Sequence, residues 1–494
     1  MSHILAIDQG TSSSRALVFN LDGRLEGVSQ LDFDNLFPAD GWVEQDPEVL
    51  WSTTLAVCRG ALEDAGVRAS SLTAIGITNQ RETTLLWDAE TGECVHNAII
   101  WQDRRTVGIC NRMRSEGLLE HIRKRTGLLI DPYFSATKLA WLLEQDSDLR
   151  ARAQAGKLRF GTVDTFLIWR LTGGKRHLTD ATNASRTMLF DIHQQCWDET
   201  LLQALRIPRS LLPEVVDSAG DFGSLEEHWL GASVPILGVA GDQQAAMIGQ
   251  GCFTQGMTKS TYGTGCFVMT NTGTQALLPQ QDLLATVGYR IDGVPTYALE
   301  GSIFAAGVAV KWLRDQLGLI EQAGETELLA GQNGVDTGGV YVIPAFTGLG
   351  APHWNPDVRG MITGLTLNSG RAQIVTATLQ SVVYQTSELV QAMQAEGASI
   401  TRLRVDGGMS ANNWLCQFLA DILNVPVDRP EMIETTALGA ATLAALASGH
   451  FSSLAESARL WRLDRQFEVN MQASQRQMLL AGWQRAVAQA LNIR

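Results

Sequence analysis

ILAIDQGTSSSRALVFN, residues 4 to 20, runs an apolar, strand-forming segment into Asp8 and frees the backbone at Gly10. It then offers the hydroxyls of Thr11, Ser12, Ser13 and Ser14 before Arg15 and a second apolar run from Ala16 to Phe19. With no helical stretch between the two runs, the turn joins the strands of a hairpin. Closely spaced amides and short hydroxyl side chains at a strand end suit a polyanion, and in open sheets ligand groups collect where strands end. Asp8, carried to the end of a buried strand, is costly to desolvate unless a cation meets it. A magnesium ion on a bound nucleotide is the economical expectation. The competing one is a polar turn that binds nothing.

Outward from this hairpin, the length of the chain sets the scale. The 494 residues exceed one ordinary core, so two domains of roughly 150 to 250 residues with a cleft between them are expected. The strand and helix phrasing restarts near Gly251, which places the division at 1–251 and 252–494. A formal charge of −14 argues against a nucleic-acid or anionic-membrane surface. Seven cysteines at 58, 94, 110, 196, 252, 266 and 416 show no CxxC or His-rich metal spacing. Neither a disulfide framework nor a zinc site is expected, and a reducing cytoplasm is. The amino terminus lacks the basic-then-apolar layout of a signal peptide, and no apolar run nears the roughly 20 residues of a membrane span. No stable membrane insertion is expected.

The motif of an apolar strand running into polar residues recurs. Ala74 to Thr78 leads into Asn79, Gln80, Arg81 and Glu82, and Ala98 to Ile100 delivers Trp101 and a charged cluster. At such a strand end Trp101 is either core or the floor of a pocket for a small polyol. Tyr133 sits just before a helix expected over Ala136 to Glu144. VPILGVAGDQQAAMIGQ, residues 234 to 250, places Asp242 and Gln243 at a strand-to-helix junction. There the positive helix end favours a carboxylate, whether for chemistry or for capping alone. The second half opens on a matching turn, Thr261-Tyr262-Gly263-Thr264-Gly265. Two such turns, one heading each half, suggest duplicated domains gripping one phosphate chain. A P-loop is rejected because Lys259 does not follow a glycine in the required GK[ST]. ALEGSIFAAGVAVKWLRDQL, residues 298 to 317, reads as one small-residue helix, and residues 369 to 395 as a long one with a stripe from Val375 to Met393. Asp406-Gly407-Gly408, with Asn412 beyond it, suits a ribose or adenine cradle. After Phe451 only helical trim is expected.

At this point the motifs carry a resemblance. YFSATKLAWLLEQ, residues 133 to 145, and GMITGLTLNSGRAQIVTATLQ, residues 360 to 380, fit the two signatures of the FGGY carbohydrate kinases. The chain resembles that family from Ile4 to about Gly449. The resemblance implies an α/β fold of two duplicated actin-like (ribonuclease H-like) ATPase domains closing on ATP. Within the family, DQGTSSSR, ITNQRET, AGDQQAA and YGTGCF resemble the members that phosphorylate glycerol. The implied reaction is ATP-dependent conversion of glycerol to sn-glycerol 3-phosphate, as in glycerol catabolism, with Asp242 as general base. By the same resemblance Arg81, Glu82, Tyr133, Asp242 and Gln243 hydrogen-bond glycerol, and Trp101 and Phe267 pack on its carbons. Thr11, Ser12, Ser13, Arg15, Thr264, Gly307, Lys311, Gly408 and Asn412 line the nucleotide, with Lys311 standing where some members carry glutamine. Asp8 holds Mg2+ through water. A homo-oligomer, dimer or tetramer, is expected, with glycerol and ATP as the small-molecule partners.

Overall fold

The computed structural model describes residues 2–280, 283–353, 355 and 357–492. The opening hairpin forms from β1 (His3–Gln9) and β2 (Ser13–Asn20), with Asp8 opposite Arg15 and Gln9 opposite Ser14. Strand β3 (Leu25–Asp32) extends the antiparallel edge. Helix α1 (Pro47–Asp64) starts where its sequence says, because the Asp46 side chain accepts from the Glu48 amide and Pro47 pre-sets the first turn. Strand β4 (Leu72–Asn79) then lies parallel to β1. Helices α2 (Ser135–Gln145), α3 (Val163–Leu171) and α4 (Ala181–Ser185) follow. Strand β5 (Ile236–Gly241) pairs parallel with β4 and passes directly into α5 (Asp242–Gly249). The sheet order is β3-β2-β1-β4-β5.

The second half repeats the plan. Strands β6 (Met257–Tyr262) and β7 (Cys266–Gly273) form the matching hairpin. Strands β8 (Leu284–Ile291) and β9 (Val294–Ile303) follow, and then helices α6 (Gly307–Asp315) and α7 (Arg371–Ala395). Strand β10 (Arg402–Asp406), helix α8 (Asn413–Leu423), strand β11 (Val427–Pro430), helix α9 (Thr435–Ala447), strand β12 (Leu463–Phe467) and helix α10 (Ala473–Asn492) complete the chain. The sheet order is β8-β9-β7-β6-β10-β11-β12. Its inner strands β9-β7-β6-β10-β11 reproduce the first sheet, three antiparallel strands followed by two parallel ones. This is the two-domain actin-like α/β architecture.

Two expectations are corrected. Residues 298–317 are not one helix: they finish β9, and α6 begins only at Gly307. The small residues serve a sheet–helix contact instead, since a Cβ on Gly301 would fall 2.2 Å from Leu389 of α7. Beyond Phe451 the chain also contributes a strand, β12, which pairs with β11 at the sheet edge. The buried stripe of α7, from Val375 to Met393, is core as its spacing predicts.

The halves share a core. Helix α9, from the second half, lies on the first sheet, where Ala437, Leu438 and Ala441 pack with Ile4, Leu17 and Phe19. Glycines let the backbones approach: a Cβ on Gly439 would stand 1.8 Å from the Ala245 carbonyl oxygen, and one on Gly249 1.9 Å from that of Thr435. A division at 252 therefore parts the two sheets but not the packing.

Candidate active site

The two halves meet where Arg81, just past β4, pairs with Asp242 at the start of α5 and with Glu300 of β9. At the end of β1, Gly10 N–H donates to the Ser13 carbonyl, closing the turn. Gln45 donates to the Thr11 carbonyl, and the Trp101 indole N–H donates to the Thr11 hydroxyl at 2.9 Å. Arg15 points across the hairpin, with Nη1 3.9 Å from Asp8 Oδ2 and Nη2 2.5 Å from Glu434 Oε2. Burial pushes the Asp8 carboxyl up to about 7 against the pull of Arg15, and the negative charges of Asp242 and Glu434 add to the push.

At the end of β4, Glu82 takes a φ of 61°, a left-handed conformation unusual for a non-glycine residue and typical of functional sites. Its carbonyl accepts from Ser135, the first residue of α2. Arg81 and Glu82 are 3% and 1% exposed. Arg81 Nε stands 3.1 Å from Asp242 Oδ1, and its Nη1 and Nη2 lie 2.5 and 3.1 Å from the two oxygens of Glu300. Glu300 also accepts from Arg186, whose Nε donates to Glu82. Burial alone would raise Glu300, but Arg186 and Arg81 together hold it at about 2. Glu82, with one direct guanidinium partner, is instead pushed up by burial.

The walls are aromatic. Trp101, just after the two-residue strand Ala98–Ile99, meets Tyr133 edge-on with ring centroids 5.6 Å apart. The turn carrying Tyr133 is pinned by Lys138 Nζ, which donates to the carbonyls of Pro132, Tyr133 and Phe134. Burial pushes this ammonium down to about 8. The Phe267 ring lies 5.9 Å from the Arg81 guanidinium carbon. Asp242 is the first residue of α5, not its N-cap, which is Gly241; its Oδ1 accepts from Gln243 N–H at 2.6 Å. The Asp242 side chain keeps 32% exposure. The Gln243 side-chain Oε1 accepts from Lys259 Nζ, which also donates to the Thr261 hydroxyl. Thus Arg81, Glu82, Trp101, Tyr133, Asp242, Gln243 and Phe267 form one cluster.

Thr264, Gly307, Lys311, Gly408 and Asn412 line a separate cavity of about 470 Å³ in the second half. The Gly307 and Val308 amides, opening α6, donate to the carbonyls of Gly263 and Thr264. Gly407 at φ 82° turns the chain out of β10, and Asn412 caps α8 through the Leu415 amide. Thr11, Ser12, Ser13 and Arg15 do not line this cavity; they belong to the turn between β1 and β2 and the start of β2. Glu300, Arg186 and Glu434 belong to the site although no local pattern in the sequence singles them out. Glu300 lies inside a stretch whose small residues read as a helix, and Arg186 follows Asn183-Ala184-Ser185, a glycosylation-type triplet that says nothing of an ion pair. In the sequence Lys259 stands out only as a lysine near glycines without the GK[ST] of a P-loop.

Two actin-like domains with polar strand ends facing a shared cleft, and a cavity beside them, define a two-domain phosphotransferase. A model of the FGGY family of carbohydrate kinases, N-terminal domain, matches residues 3–249, and one of the C-terminal domain matches residues 258–448. The chain belongs to the FGGY family of carbohydrate kinases. It is 59% identical to glycerol kinase 1 of Pseudomonas aeruginosa and 56% identical to the glycerol kinase of a Marinomonas species, in each case over 99% of both chains. The crystal structure of Plasmodium falciparum glycerol kinase with ADP superposes with a TM-score of 0.94 at 35% identity, covering 100% of this chain and 99% of that one. A gluconate kinase from Lactobacillus acidophilus, 20% identical with a TM-score of 0.89, shares the fold.

Proposed function

We propose that this kinase transfers the γ-phosphoryl group of ATP to glycerol, giving sn-glycerol 3-phosphate and ADP. The observation that carries the reading is the Asp242–Arg81–Glu82 cluster, walled by Trp101, Tyr133 and Phe267, within a chain that is 59% identical to a glycerol kinase. Phosphoryl transfer demands alignment, charge neutralisation and a base for the attacking hydroxyl. Asp242 Oδ1 is engaged by the Gln243 amide and faces Arg81, which leaves Oδ2 to take the proton of the attacking hydroxyl. The oxygen then bonds to the γ-phosphorus as the bridging bond to ADP breaks. Arg81, Glu82, Tyr133 and Gln243 bind the acceptor hydroxyls, and the aromatic rings cover its carbons. The cavity lined by Thr264, Gly307, Lys311, Gly408 and Asn412 takes the nucleoside. Thr11, Ser12, Ser13 and Arg15 serve its phosphates.

Asp8 suits a magnesium ion: a carboxyl only 14% exposed and crowded by Asp242 and Glu434 gains from a divalent cation. Among the described residues no group of three or more His, Cys, Asp or Glu side chains is placed to hold a metal directly. Asp8 would hold the ion through water, alongside phosphate oxygens, as magnesium is commonly held, and when bound the ion supplies charge neutralisation on the phosphates. A cytoplasmic homo-oligomer of two or four chains is part of the same proposal. Among the described residues no helix is long and apolar enough to cross a membrane.

ADP release by the purified chain with Mg-ATP, compared across no acceptor, glycerol, dihydroxyacetone, erythritol and xylulose, tests the reading. Strong turnover with glycerol alone is expected. Preference for another acceptor, or nucleotide binding without acceptor-dependent turnover, overturns it.

A further inference from the structure

The groups proposed to bind glycerol are not held by the first half alone. Glu300, on β9 of the second half, is 1% exposed and reaches Arg81 and Arg186, both of the first half. Its Oε2 lies 2.5 Å from Arg81 Nη1, and its Oε1 3.1 Å from Arg81 Nη2. This is a two-point fork, a geometry that fixes a planar guanidinium in orientation as well as in place. The same Oε1 lies 3.1 Å from Arg186 Nη2, while Arg186 Nε donates to Glu82 Oε1 at 2.5 Å. One carboxylate thereby anchors both members of the Arg81–Glu82 pair, the first directly and the second through Arg186.

The donor count gives the fork its consequence. A guanidinium has five N–H groups. In Arg81, Nη1 serves Glu300 and Gln244 and Nη2 serves Glu300, while Nε stands 3.1 Å from Asp242 Oδ1 as an ion pair. Of the four Nη N–H groups, one on Nη2 is left. In Glu82, Oε1 is taken by Arg186, so Oε2 is left to accept. One directed donor and one directed acceptor are what two neighbouring hydroxyls require. Rotating the guanidinium would misdirect the donor without removing its charge.

We propose that Glu300 is a positioning residue for acceptor specificity: its fork on Arg81 and its bridge through Arg186 to Glu82 aim the remaining Arg81 Nη2 donor and the Glu82 Oε2 acceptor at adjacent hydroxyls. The second half thus completes a recognition site whose contacting groups belong to the first. This role rests on the reading that Arg81 and Glu82 bind glycerol.

The test is Glu300→Gln in the full chain, with kcat and KM measured for glycerol, for 1,2-propanediol, which lacks one hydroxyl, and for ATP. A site built on directed hydrogen bonds discriminates strongly against a missing hydroxyl. The variant is therefore expected to lose about tenfold or more of the glycerol-over-propanediol preference in kcat/KM and to raise glycerol KM by a similar factor, with ATP KM changed by less than about twofold. Glu300→Asp, which keeps the charge but withdraws it by one methylene, should fall between. A lower kcat with unchanged acceptor preference, the result of a smaller folded fraction, overturns the proposal. Should Glu300→Gln not fold, unchanged preference in Glu300→Asp or Arg186→Lys overturns it equally. Absence of glycerol-dependent turnover in the unaltered chain would instead overturn the functional reading, so the two failures are separable.

Discussion

Arg81 Nε stands 3.1 Å from Asp242 Oδ1, so the proposed acceptor-binding guanidinium and the proposed base form one unit across the ends of β4 and β5. The pairing keeps Asp242 aimed into the cleft although a third of its side chain remains exposed. Replacing it by asparagine retains shape and hydrogen bonding but removes the ability to take a proton. A positioned base is worth about 10² to 10⁴ in rate, so Asp242→Asn should lose turnover by about that factor. ATP KM should change little. Steady-state kinetics decides this, and near-normal turnover would remove Asp242 from its role.

The second cavity is tested independently. Gly307 opens α6 against the Gly263-Thr264 turn, and a Cβ there would fall 2.6 Å from the Gly263 carbonyl oxygen. Backbone must shift to admit it, and both segments line the cavity. Gly307→Ala should therefore raise ATP KM several-fold, in the manner of other overpacking substitutions, while leaving glycerol KM nearly untouched. Equal weakening of both substrates would remove the nucleoside from this cavity.

Most of the frame was legible in the sequence because its signals are local. The hairpin around Gly10, the Asp46-Pro47 helix start and the stripe of α7 each depend on residues within a few positions of one another. The duplication was legible through its two glycine and hydroxyl turns, and the strand-end positions of Arg81, Glu82 and Asp242 followed from apolar runs ending in polar residues. What stayed hidden depends on packing between distant segments. Residues 298–303 have helix-compatible composition, yet Gly301 is small because Leu389 must approach the sheet. Glu300 gained meaning only when β9 brought it to Arg81, 219 positions away in the chain. Nor does any local pattern reveal that α9 packs on the sheet of the other half, since Gly76, Gly249 and Gly439 make sense only with their partners in place.

That packing gives a stability prediction. At Gly439, where a Cβ would meet the Ala245 backbone at 1.8 Å, no side-chain rotation relieves the clash. Gly439→Ala should force α9 from α5 and destabilise the chain by about 1–3 kcal/mol, the usual cost of overpacking. This sets aside the helix-propensity gain of about 1 kcal/mol that alanine brings in an unconstrained helix. A higher denaturant midpoint than the parent chain would contradict the close approach.

A buried carboxyl away from the cleft supplies a pH dependence. Asp164, in the first turn of α3, is wholly buried and accepts from the hydroxyls of Thr162 and Thr179 at 2.5 and 2.7 Å. Burial first, and the neighbouring Asp180 second, push it up from 3.8 to about 7. Between those values the folded chain holds a proton that the unfolded chain has released. The resulting stabilisation is complete below 3.8 and is lost as the pH rises through about 7. Asp164→Asn cannot titrate but can still hydrogen-bond both threonines, its Oδ1 accepting from one hydroxyl and its Nδ2 donating to the other, which turns to accept. The variant should therefore gain on the parent chain as pH rises from 5 to 7, by at most about 1.4 kcal/mol per pH unit. Denaturant unfolding of both proteins at the two pH values measures the gap. A gap that stays constant would mean that Asp164 is ionised in the folded chain throughout, with its two threonine hydroxyls outweighing burial.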